Sequence, residues 1–429
     1  MPLADHPLRY ALANELHARP FPSFRCPGVA LFMAFKEPVD AAKRDRGQDR
    51  AHLIALLDRF GVQHPQPEAT HYFGDLGKFQ LKWEQHTEFV TYTAFTDMVE
   101  ARERPFDPAA WNIFPSDWLD GASGDRVSMA HIRIDPMPDA QNDLAKPLAD
   151  WFVPDSLALA HVFDQTAIVA GDFRIDSAGQ MRFAMFCKPD TNPRRIGRIT
   201  QHICEIEIYK AMAMHGLPKA REIFHRMGEI DASLSQLVGD MTGDLSRPDE
   251  TLKQLLTIAA ELEKLQAESA FRFGASRAYE AIVHQRIDAL REQQFFGGQT
   301  FGEFMTRRFD PAMRTVKSTE RRLSAMTNRA IQAGDLLRTR VDVDRAAQNQ
   351  ALLKSMNQRA DMQVRLQKTV EGLSVVAISY YAVNLLVYLL QPLVAPFGIS
   401  KTYLTALAVL PVAGFAWWIT RKIRQAFEK

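Results

Sequence analysis

The hydrophobic rhythm of the chain changes twice along its length. Over roughly the first 190 residues, short apolar runs recur at 28–35, 79–83, 88–95, 126–134, 167–175 and 181–187. Their length and their β-branched and aromatic content predict strands. Residues 78–95 and 167–187 read as hairpins, the second turning on Asp176-Ser-Ala-Gly-Gln180. Apolar positions at helical spacing over 8–16, 40–60 and 138–152 supply covering helices. The predicted fold class is α+β: a sheet of mixed or antiparallel strands with helices laid on it.

After Pro193 the period becomes helical. Ile196, Ile199, Ile203 and Ile206 recur three and four apart, Gly216-Leu-Pro218 interrupts, and a second helical stretch at 252–296 ends at Gly297-Gly298. Between Pro311 and Pro392 there is no proline, and the only glycines are Gly334 and Gly372. That predicts one helix of about 80 residues, on the order of 120 Å, far longer than a bilayer requires. Its first part is a stalk rich in Arg, Asp, Gln and Asn, too polar to stand without partner helices.

The second change is to unbroken apolarity. From Gly372 to Ser400 no residue is charged. The segments 372–390 and 402–420 each make a helix of about 28 Å, close to the ~30 Å hydrocarbon core of a bilayer. Between them Pro392, Pro396 and Gly398 break the helix, so the pair must be antiparallel. Arg359, Arg365 and Lys368 precede the first span, Arg421, Lys422, Arg424 and Lys429 follow the second, and the connector holds only Lys401. The positive-inside rule then places both chain ends in the cytoplasm, with Trp417 and Trp418 at the inner interface. The expected organisation is a cytoplasmic α/β domain at 1–192, a helical region at 193–299, the stalk at 300–369 and a two-helix hairpin with a basic tail at 370–429.

One stripe of the first span is polar. Ser374, Ala377, Tyr381, Asn384 and Tyr388 alternate by three and four, and four of the six Ser, Tyr and Asn residues of the span lie on it. Lipid cannot satisfy such a stripe, so it meets other helices or water: packing glue centred on Asn384, or the lining of a pore. Either role calls for a homo-oligomer.

Composition narrows the function. The formal net charge is +1, which offers no cationic surface for nucleic acid. Cys26, Cys187 and Cys204 form no CxxC motif and are odd in number, which fits reduced, structural thiols. There is no GxxxxGK[ST], HExxH or GxSxG motif, and Gly121-Ala-Ser-Gly124 is followed by Asp125 rather than glycine. The twelve histidines are scattered, and His202 and Cys204, two apart on a helix, point to different sides. The chain therefore reads as a non-enzyme. Asp335, Asp342 and Asp344 on the stalk are candidate regulatory sites for a divalent cation, although a charged helix face is more often simply solvated. At the N-terminus, Glu15-Leu-His-Ala-Arg-Pro20 sets His17 and Arg19 either at a helix end, where cations complement the dipole, or around an anion.

That N-terminal box, with Arg338-Thr-Arg-Val-Asp342, Gln348-Asn-Gln-Ala-Leu-Leu353 and Thr369-Val-Glu-Gly-Leu-Ser374, resembles the recurring boxes of a bacterial family of membrane-anchored proteins that carries only a domain-of-unknown-function label. The resemblance spans the chain and implies an inner-membrane location. The order of elements is also similar to the CorA magnesium-transporter family, pentamers whose first spans line a pore with Tyr-Gly-Met-Asn at its outer mouth. The matching stretch here is Tyr381-Ala-Val-Asn384, with glycine and methionine replaced and no acidic residue in the connector. The resemblance implies a homo-oligomeric cation conduit with a cytoplasmic regulatory domain. The alternative is a non-conducting anchored sensor or scaffold whose cytoplasmic domain binds a partner or ligand.

Overall fold

The computed structural model describes residues 5–15, 21–97, 104–241, 248–394 and 400–427. The described chain forms two compact units, Met1–Leu245 with Lys253–Ala333, and Ser246–Leu252 with Gly334–Lys429.

The first unit is built on a nine-stranded sheet ordered β2-β3-β4-β1-β5-β8-β7-β6-β9. The strands are β1 (Gly28–Lys36), β2 (His71–Asp75), β3 (Gln80–Gln85), β4 (Val90–Thr96), β5 (Asp125–Pro136), β6 (Ala158–Val162), β7 (Ala167–Ile175), β8 (Met181–Cys187) and β9 (Gln293–Gln294). Only the β5–β8 pair is parallel, so the sheet is mixed and mostly antiparallel. Both hairpins form: β3 pairs with β4 from Gln80↔Phe95 to Gln85↔Val90, and β7 with β8. The second turns where expected, with Asp176 Oδ1 accepting from the Ala178 and Gln180 amides. The sequence pattern missed β2, β6 and β9. β6 is rich in alanine, a poor strand former, and β2 and β9 are edge strands with little burial.

Alternation carried through the register puts Leu31, Met33, Trp83 and Tyr92 on one face of the sheet, and Phe32, Lys82, Thr93 and Phe183 on the other. Helix α2 (Arg46–Phe60) covers the first face with Leu53, Leu56 and Leu57. Each of these is fully buried, which stabilises the fold by about 2 kcal/mol apiece. Asp45 caps α2, accepting from the Gly47 amide, and Gly61 ends it at φ +64°. Trp118 of α3 (Ser116–Asp120) joins the same cluster. Leu148 of α4 (Ala145–Trp151) and Phe152 make a second cluster with Ile168 and Phe186. The opposite face carries α5 (Pro193–Met214), which packs on β1 and β5.

The remaining helices are α1 (Arg9–Glu15), α6 (Gly216–Asp240), α7 (Pro248–Leu290), α8 (Phe301–Arg308), α9 (Asp310–Val394) and α10 (Lys401–Phe427). The interruption expected at Gly216-Leu-Pro218 is confined to His215: Pro218 sits in the first turn of α6, where its missing amide costs nothing. Neither Gly334 nor Pro392 ends α9, an 85-residue helix.

In the second unit α9 and α10 pair through Val383 and Val387 against Ala408, with Leu404 and Val412 alongside. Each helix contains a stretch long and apolar enough to cross a membrane, of which only 11% is buried within the chain. A core helix of a soluble protein would be mostly covered; these are not.

Candidate cation site and the apolar helix pair

In the first unit, α7 sets Glu280 and His284 one turn apart on the same side, as i,i+4 spacing dictates. The start of α9 brings Asp310 to them. The ligand atoms of the three side chains all lie within 4.8 Å of one another. His284 Nε2 is 3.2 Å from Asp310 Oδ1, and Glu280 Oε2 is 2.6 Å from Lys317 Nζ. Glu280 is buried, while His284 and Asp310 are half-buried. Two carboxylates and an imidazole form a donor set for a divalent cation, and the mixed nitrogen and oxygen character suits Zn²⁺ or Mn²⁺ better than Mg²⁺. Without a cation, Lys317 answers Glu280 and the His284 ring faces Asp310. A metal ion therefore competes with that ammonium for the carboxylate.

Glu280-x₃-His284 is visible in the sequence as a carboxylate–imidazole pair at helical spacing, but a search for paired histidines passes over it. Asp310 joins only through the packing of α9 on α7. The candidate aspartates behave differently. Asp335, Asp342 and Asp344 are all exposed, and among the described residues the one group of metal-ligating side chains is that of Glu280, His284 and Asp310. The two N-terminal candidates, His17 and Arg19, lie outside the described residues. His202 and Cys204 are both buried, but they belong to no metal-ligating group among the described residues.

The stripe of the first apolar helix lies mostly beside, rather than on, its apolar contact with α10. Ser374, Ala377, Tyr381 and Tyr388 are exposed and Asn384 is half-buried, whereas Val383 and Val387 make the contact with α10. Two of the polar members are occupied locally. Ser374 Oγ donates to the Val370 carbonyl at 2.9 Å, and Lys401 Nζ lies 5.1 Å from the centre of the Tyr388 ring. Of the other two polar members, Tyr381 is exposed and Asn384 half-buried.

A helix-covered mixed sheet, a long stalk helix and two apolar helices of bilayer-crossing length define the class of the protein as α+β. Residues 4–427 match the family described as protein of unknown function (DUF3422), and the chain belongs to that family. No curated protein matches the chain.

Proposed function

We propose that the chain is an inner-membrane protein whose α9–α10 hairpin spans the bilayer, with both ends in the cytoplasm, and whose copies assemble around α9 as a cation conduit. The supporting observation is that Ser374 and Tyr381 are exposed and Asn384 is only half-buried, while Val383 and Val387 make the intrachain contact. In lipid an amide and a phenol left on an outer helix face need a second helix or water. Symmetric copies of Asn384 would supply the ring of oxygens that a desolvated cation requires. The Glu280, His284 and Asp310 group is then the regulatory cation site of the cytoplasmic unit. Reconstituted vesicles test the reading: wild-type protein passes divalent or monovalent cations, and Asn384→Leu abolishes the flux while the assembly persists. Absence of flux for every ion tried would contradict conduction.

A second reading is favoured by where the cation donors sit. Glu280, His284 and Asp310 all belong to the sheet-containing unit, and the connector has no acidic residue to gather cations. This describes an anchored, non-conducting cation sensor. Under it, Zn²⁺ or Mn²⁺ binds the wild type and not Glu280→Gln or His284→Ala, and vesicles stay tight.

A further inference from the structure

A cavity of about 230 Å³ opens between the second face of the sheet and α5. Its polar wall is built from Lys82 and Glu84 of β3, Gln201, His202 and Glu205 of α5, and Arg286 of α7. Lys82 and His202 are only 5% and 6% exposed, and a buried ammonium is costly unless it is paired.

The charges cancel two by two. Lys82 Nζ lies 3.0 Å from Glu84 Oε2, and the Arg286 guanidinium pairs with the Glu205 carboxylate. Hydrogen bonding is not complete, however. Lys82 Nζ, His202 Nδ1 and Gln201 Oε1 are all out of solvent and form no hydrogen bond among the described residues. His202 Nδ1 is 3.8 Å from Glu205, too far for one. Gln201 cannot turn to relieve its carbonyl, because its Nε2 donates to Glu205 Oε1 at 2.7 Å. The wall thus presents an ammonium with protons to spare beside Glu84 and an unused carbonyl acceptor, with no net charge.

A molecule that fits must offer an acceptor to Lys82 and a donor to Gln201. A bare anion would leave an uncompensated charge in the cavity, whereas a zwitterion leaves none. Phe21, Phe32 and Phe95 line the cavity as well, which gives an apolar side group its place. A cavity of about 150 Å³ holds a benzene-sized molecule, and pockets for drug-sized ligands start near ~300 Å³. The space lies between, on the scale of a single free amino acid.

We propose that this cavity binds a free α-amino acid with an apolar side chain, its carboxylate on Lys82 and its ammonium on Gln201 Oε1. Burial and the opposed pairs keep the surrounding charges fixed. The site does not depend on whether α9 and α10 conduct.

The test is calorimetric titration of the full-length protein in detergent with each of the twenty amino acids. Saturable binding of one or more apolar members, such as leucine, valine or methionine, is expected. 4-Methylpentanoate, which is leucine without the amino group, and isoamylamine, which lacks the carboxylate, should bind at least tenfold more weakly than leucine. Lys82→Met should weaken binding at least tenfold. Gln201→Leu, at a half-buried position that tolerates change, should do the same if Lys82→Met does not fold. Failure of all twenty to bind would overturn the proposal. So would affinity unchanged in a folded variant, or 4-methylpentanoate binding as tightly as leucine, which would make the cavity an anion site.

Discussion

Arg44 and Asp49 form an ion pair almost wholly out of water, Nε to Oδ2 at 2.9 Å, with side chains 2% and 1% exposed. The same guanidinium donates to the carbonyls of His86 at 2.8 Å and Phe89 at 3.0 Å. Asp49 also accepts from Gln85 at 3.1 Å and Ser123 at 3.0 Å. One buried pair therefore ties the start of α2 to the β3–β4 turn. Removing one partner strands the other charge, so Arg44→Met should cost about 3–5 kcal/mol. Arg44→Met with Asp49→Leu should cost less than the two single changes summed, as a double-mutant cycle on thermal unfolding would show. Additive losses would mean that the two side chains act separately.

Glu205 gives the first unit an acid-sensitive contact. Burial alone would raise its carboxyl, but the neighbouring His202 and Gln201 side chains and the Arg286 guanidinium outweigh burial and hold it down at about 2. A carboxylate held below its unfolded range stabilises the folded chain above pH ~4.3, and the contribution fades as pH falls toward the folded value. Measured against Glu205→Gln, the wild-type advantage should shrink by up to about 3 kcal/mol between roughly pH 5 and pH 2. A difference that stays flat across that window would show that the carboxylate is not held in its charged form.

Cys26 and Cys187 meet although they are far apart in sequence. The Cys187 thiol donates to the Cys26 sulfur and draws the Cys26 thiol below its ordinary value, while the same contact and burial push Cys187 up. Burial raises Cys204 too. N-ethylmaleimide should therefore label half-buried Cys26 first. Cys187→Ala, which removes the donor, should slow that labelling. Modification of Cys204 ahead of Cys26 would contradict the arrangement.

Tight packing fixes the chain that enters β1. A Cβ added to Gly197 of α5 would stand 1.8 Å from the Pro22 carbonyl oxygen. Alanine is the better helix former by up to about 1 kcal/mol, yet Gly197→Ala should destabilise by about 1–3 kcal/mol, because backbone must move to admit the methyl. A thermal unfolding shift upward would mean that the segment at Pro22 yields freely.

Most strands and the long helices were legible because their apolar periods are local. Ala167–Ile175 and Met181–Cys187 are short, largely apolar runs on either side of a turn, and α9 has no interior proline until Pro392. What was not legible depends on distant segments. β9 is two residues of glutamine that pair only because β6 lies beside them. Asp310 reaches His284 through helix packing, and the cavity polarity comes from residues on β3, α5 and α7 together. The alternation of Lys82 and Glu84 with Leu81 and Trp83 did mark a polar sheet face, but nothing local says that α5 would bury it. The stripe at Ser374, Tyr381 and Asn384 was legible as a pattern. That α10 would pack on Val383 and Val387, leaving Ser374 and Tyr381 exposed, was not.

Assembly around that stripe is the central claim, and the rotational symmetry of the purified, detergent-solubilised particle measures it directly. The account predicts a closed ring of identical copies with the α9 segment at 374–388 nearest the axis, and loss of the ring or of its conductance on Asn384→Leu. A monomeric particle, or a ring with α10 at the axis and the stripe facing lipid, would contradict it.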